Sequence, residues 1–161
     1  MIHHVITRVS LDSFKEMSEG KRVVLLYPWT NYRNLFLGHF LSSAKEGLLY
    51  YRIPSGISTV TGWLEDMTTE LSNVLGEFGS QTQQVQTAEE LDMTTLGEAL
   101  ANDLVSYSNG QSVILFVDEL DRVPFDDAFK TFIDALVENM PDYIQVAFSS
   151  RLLRHESWYD M

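Results

Sequence analysis

Cysteine is absent from this 161-residue chain, which excludes disulfides and thiolate metal sites and fits a reducing compartment. Basic residues are scarce. Eleven Lys and Arg stand against 23 Asp and Glu, for a formal net charge of -12. Such a balance argues against a DNA- or RNA-binding surface, which needs clustered cations facing phosphates, and against docking on an anionic membrane. Direct nucleic-acid and membrane contacts are therefore not expected. Long hydrophobic runs are missing too: the longest are about a strand in length, against the roughly 20 residues that span a bilayer. The first residues, Met1-Ile2-His3-His4-Val5, lack a basic region followed by an apolar core, so no signal peptide is expected and the default location is cytoplasmic.

The remaining composition is that of a folded globular protein, 45% hydrophobic and 21% charged, and the length suits a single domain spanning 1–161. Val23 to Tyr27 and Val113 to Val117 are continuous apolar runs rich in β-branched residues, the pattern of strands covered on both faces. Gly47 to Ile53, closed by Pro54, and Ile144 to Ser149, introduced by Pro141-Asp142, are two further strand candidates. Helical spacing of apolar residues predicts helices over Asn34 to Ala44, Val60 to Phe78, Thr94 to Tyr107 and Asp126 to Asn139. The Trp63, Met67, Leu71 stripe reads as core. Asn109-Gly110 reads as a helix stop, and Asp126-Asp127 suits the positive end of a helix dipole. Strands alternating with helices predict βαβ units, right-handed crossovers and a mainly parallel sheet in a three-layer α/β/α domain. The polar stretch from Gly79 to Asp92 is expected to be an exposed loop.

One motif carries chemistry. Val113 to Val117 followed by Asp118-Glu119 matches a Walker B strand. A buried strand delivers its terminal carboxylate to the carboxyl edge of a parallel sheet, where such sheets bind ligands. In that role Asp118 holds Mg²⁺, usually through water, and Glu119 polarises the water that attacks a phosphoryl group. The alternative is a strand that simply ends in solvated acids. The other half of a P-loop site should follow the strand Val23 to Tyr27, where GxxxxGK[ST] wraps phosphates with backbone N–H groups and a lysine. That stretch reads Pro28-Trp29-Thr30-Asn31-Tyr32-Arg33-Asn34-Leu35. It contains no glycine. Arg33 stands in place of the lysine and Asn34 in place of the Ser/Thr, while Trp29 and Tyr32 are bulky where backbone must approach phosphate.

The order of features resembles the STAND-class P-loop ATPase domain of MalT-like LuxR-type transcriptional regulators. Leu11 to Met17 matches its first helix, Pro28 its loop proline and Asp118-Glu119 its Walker B. Val146 to Arg151, ending in Ser150-Arg151, matches its sensor strand. The resemblance runs from about Val5 to Leu153 and implies the N-terminal part of a larger regulator. It implies ATP and Mg²⁺ as ligands, with Pro28, Asn31, Arg33, Asn34 and Arg151 on the nucleotide, Asp118 on the metal and Glu119 as the catalytic group. The run Asp118 to Asp121 is also similar to AAA-type ATPases.

The departures decide among three expectations. With the glycines and lysine gone, the leading one is a pseudo-ATPase scaffold with ATP binding weak or lost. It would work as a regulatory or protein-interaction module, its partners being other proteins or further domains of the same regulator. The second is a working ATP-binding switch using Asp118 and Glu119. The third, a metal-dependent hydrolase built on Asp118, Glu119 and Asp121, lacks a completing ligand set. With a dead loop, Arg151 reads as a surface arginine paired with an acid such as Glu156. The four histidines, His3, His4, His39 and His155, show no ligand spacing. Trp158-Tyr159 could anchor a partner or fold back on the domain.

Overall fold

The computed structural model describes residues 16, 19–26 and 47–151. In them the strands β1 (Val23–Leu26), β2 (Leu48–Arg52), β3 (Val113–Asp118) and β4 (Ile144–Ser149) form one sheet in the order β1-β4-β3-β2. Every pairing is parallel. Three helices, α1 (Val60–Leu75), α2 (Ser80–Gln86) and α3 (Met93–Ser108), connect β2 to β3, and α4 (Asp127–Asn139) connects β3 to β4. The expected helices over Leu11 to Met17 and Asn34 to Ala44 lie outside the described residues, apart from Glu16.

Strand alternation sorts the sheet into two faces. Leu49, Tyr51, Val113, Leu115, Val117, Ile144, Val146 and Phe148 point one way, into a core closed by Trp63, Leu64 and Met67 of α1, Leu96, Leu100 and Leu104 of α3, and Phe129, Phe132 and Leu136 of α4. Each such side chain, fully buried, contributes about 1.5–3 kcal/mol. Phe116 and Ala147 point the other way and are also fully buried, with Val24, Leu26, Leu48, Tyr50 and Ile114 packed around them. A sheet buried on both faces explains why these strands read as apolar runs without alternation. The architecture is the three-layer α/β/α arrangement expected from the sequence. No described helix is long and apolar enough to cross a membrane.

The helix ends follow local chemistry. The side chains of Thr59, Asp92 and Asp126 cap α1, α3 and α4 by accepting from the N–H of Gly62, Thr95 and Phe129. The α1 helix stops at Gly76, whose φ of 90° no helix continues, three residues short of the predicted end at Phe78. Asn109, in the left-handed conformation, ends α3. At the α3–α4 contact a methyl on Gly97 would sit 2.4 Å from the Phe132 carbonyl oxygen, so only glycine lets these two backbones approach so closely.

One expectation fails. The stretch from Gly79 to Asp92 is not all loop, since it contains α2. Asp103, buried on α3, accepts from the backbone N–H of Gln81 (3.1 Å) and Thr82 (2.8 Å) and from the Thr82 hydroxyl (2.7 Å). The helix has no cap of its own. It borrows a carboxylate from a residue 21 positions away, which local polarity cannot reveal.

Candidate functional site

The carboxyl edge of the sheet gathers the charged groups. Parallel register sets Arg52 beside Asp118 and Leu26 beside Ser149. Asp118 is completely buried. Its Oδ2 accepts from the Tyr50 hydroxyl at 3.0 Å, and its Oδ1 accepts from the Glu119 N–H at 2.9 Å and from the Ser149 hydroxyl. Tyr50 is held in turn by stacking on Phe116, ring centroids 5.9 Å apart.

Glu119 follows in a left-handed conformation, φ 63° and ψ 42°, which costs a residue with a Cβ about 1–2 kcal/mol. From there the chain enters a short 3-10 helix, Leu120–Arg122. The strained turn carries the Glu119 carboxylate inward, where only 2% of the side chain is exposed. Three guanidinium groups surround it. Arg52 at the end of β2 reaches Oε1 at 2.5 Å. Arg122 reaches Oε2 at 2.6 Å and also donates to the Ile53 carbonyl. Arg151, just past β4, lies 3.3 Å from Oε2. Asp121 completes the network by accepting from the Arg151 backbone N–H at 2.9 Å and from its Nε at 3.1 Å. Among the described residues the acids that pair with Arg151 are Asp121 and Glu119; Glu156, the example named from the sequence, lies outside them.

A carboxylate placed to activate water needs a free lone pair facing the reacting centre. Both oxygens of Glu119 face guanidinium groups. The Asp118 oxygens already accept three hydrogen bonds, and among the described residues no group of three or more acidic or histidine side chains could hold a metal.

The remaining nucleotide-site candidates, Pro28, Asn31, Arg33 and Asn34, lie outside the described residues, as do the four histidines and Trp158-Tyr159. Among the described candidates, the structure brings Asp118, Glu119 and Arg151 together. It adds Tyr50, Arg52, Arg122 and Ser149, which sequence reasoning passed over. Two of these had a readable signal: Arg52 ends the strand before Pro54, and Arg122 stands three residues after Glu119.

A second feature is a cleft of about 200 Å³ lined by residues 58–61, 93, 123, 124, 126 and 128. It lies where the first turns of α1, α3 and α4 meet. None of its lining residues belongs to the charged network, and those turns are already capped by Thr59, Asp92 and Asp126. It offers no convergent reactive groups. Compared with known proteins, the chain matches no protein-family model and no curated protein sequence.

Proposed function

We propose that this chain is a degenerate NTPase-like domain, related in design to the STAND ATPase domain it resembles, that has lost hydrolysis and serves as a regulatory or protein-interaction module. One observation carries the reading. The residue in the catalytic position, Glu119, is engaged by Arg52, Arg122 and Arg151 instead of being presented to a water. The sequence Pro28 to Asn34, without glycine or lysine, argues in the same direction, because a phosphate-wrapping loop needs both. ATP binding is weak or lost on this reading. The partners are other proteins or further domains of the same regulator, in the cytoplasm.

A retained ATP-binding switch is the second reading. It is favoured by the position of Asp118 and Arg151 on one carboxyl edge, the place where parallel sheets take ligands. The two readings part in a phosphate-release assay run with ATP and Mg²⁺, beside calorimetric titration with ATP and ADP. The pseudo-ATPase gives no turnover and no binding below millimolar nucleotide. Mg²⁺-dependent turnover that vanishes in Glu119→Gln would sink it, and micromolar ATP binding without turnover would support the switch.

A further inference from the structure

The basic side chains of this acidic protein are not spread evenly. Residues 53–121 contain twelve Asp and Glu and no Lys or Arg, so that stretch alone accounts for the net charge of -12. Of the six Lys and Arg among the described residues, Arg22 pairs with Asp142 and Lys130 with Asp134. Three others, Arg52, Arg122 and Arg151, converge on Glu119 from three different places on the sheet edge.

The three are not equivalent. Arg122 is the fixed one, 21% exposed and tied to the Ile53 carbonyl. The side chains of Arg52 and Arg151 are half exposed, 53% and 51%, while each touches the buried carboxylate. A guanidinium has five N–H donors and a carboxylate only two oxygens. Three guanidinium groups therefore bring more donors than Glu119 can accept, even with Asp121 taking part of Arg151. Planar forks of this kind match carboxylate and phosphate oxygens alike, which a lysine ammonium does not. The occupant is also held under strain, in a left-handed conformation that a residue with a Cβ resists.

We propose that Arg52, Arg122 and Arg151 form an oxyanion cradle for a small phosphate-bearing ligand, with the Glu119 carboxylate as its internal occupant. The ligand enters from the side of Arg52 and Arg151 and competes with Glu119 for their donors. The cradle's three arginines lie outside the Pro28 to Asn34 loop, and its ligand is a free oligophosphate that carries no base or sugar, so it goes beyond the function proposed above.

The test is calorimetric titration of the full chain with inorganic tripolyphosphate, which has no base or sugar, at low and at high salt. Wild type binds it, and the affinity falls as salt rises. Glu119→Gln removes the competing charge in a near-isosteric side chain and binds about tenfold tighter, the scale of one charge-assisted hydrogen bond. Arg52→Gln and Arg151→Gln each bind about tenfold more weakly, while Lys130→Gln, outside the cradle, binds as wild type does. If Glu119→Gln does not fold, Glu119→Asp, which withdraws the carboxylate by one methylene, is expected to tighten binding in the same direction.

Three results would overturn the cradle: no tripolyphosphate binding by folded wild type, binding that ignores Arg52→Gln and Arg151→Gln, or weaker binding when Glu119 is neutralised or shortened. Repeating the series with ATP separates the two proposals. ATP turnover ends the pseudo-ATPase reading and leaves the cradle standing, whereas silent tripolyphosphate titrations end the cradle alone.

Discussion

Two buried carboxylates in this protein are solvated in opposite ways. Asp103, 5% exposed, is surrounded by neutral donors, two backbone N–H groups and a hydroxyl, all from the first turn of α2. Glu119, 1% exposed, is surrounded by three guanidinium groups. Neutral donors fixed in a helix turn have nowhere else to go, so Asp103 is a permanent cap. Two of those arginines, Arg52 and Arg151, are long and half exposed and have water as an alternative, so Glu119 sits in a network that a ligand or salt can rearrange. Burial alone does not distinguish a structural carboxylate from an exchangeable one. The nature of the donors does.

The largest effect should come from breaking the permanent cap. Asp103→Ala leaves the Thr82 N–H and hydroxyl buried without their acceptor and is expected to lower stability by about 3 kcal/mol, read from the urea midpoint. The loss should be nearly the same at high salt, because the donors carry no charge. A loss under about 1 kcal/mol would mean that α2 finds another cap, and the contrast with Glu119 would fail.

Glu119→Gln should cost less, about 1–2 kcal/mol, because Arg52 and Arg151 can turn to water when their partner is neutralised. Its cost should shrink further in high salt, which already screens the pairing in wild type. A salt-independent loss as large as that of Asp103→Ala would place Glu119 in the same class as Asp103.

A third carboxylate lies between the two. Tyr51 donates to Asp66 Oδ2 at 2.7 Å, and burial first, then that hydrogen bond, pushes the Tyr51 phenol well above its ordinary 10.0. A raised value means that the folded state holds the proton more tightly than the unfolded one. The contribution is complete below pH 10.0 and declines as the pH rises above it. Tyr51→Phe should lose about 1 kcal/mol at neutral pH, and its stability should fall less than that of wild type on going to strongly alkaline pH. Parallel urea curves at neutral and alkaline pH check both.

The smallest effect belongs to the exposed cap of α3. Asp92 is held below its ordinary 3.8 by the side-chain hydroxyl of Thr95, then by the Thr95 N–H. A depressed value puts its contribution in place above about pH 4, to be lost as the pH falls through the lower folded value. The hydrogen-exchange protection factor of the Thr95 amide, taken relative to its intrinsic rate at each pH, should fall in acid in wild type, and in Asp92→Asn that acid dependence should be weaker.

What local sequence determined is the part of the protein written in short-range pattern. Continuous apolar runs identified β1 and β3, and the turn Pro141-Asp142 before Ile144 to Ser149 marked β4. A 3.6-residue stripe placed Trp63, Met67 and Leu71 in the core, and strand–helix alternation implied the parallel three-layer fold. Period and burial are read from neighbouring residues, so one chain suffices. The site divides along the same line. Asp118 and Glu119 stand out because they end an apolar strand, and Ser150-Arg151 because it ends another.

Only the tertiary structure decided what these groups do. Arg52 is 67 positions from Glu119 and Arg151 is 30 from Asp121, and the parallel register is what makes them neighbours. The same holds for α2, whose cap comes from another helix. Charge pairing acts through space at a few ångströms, and sequence separation carries no record of that distance until the sheet has formed.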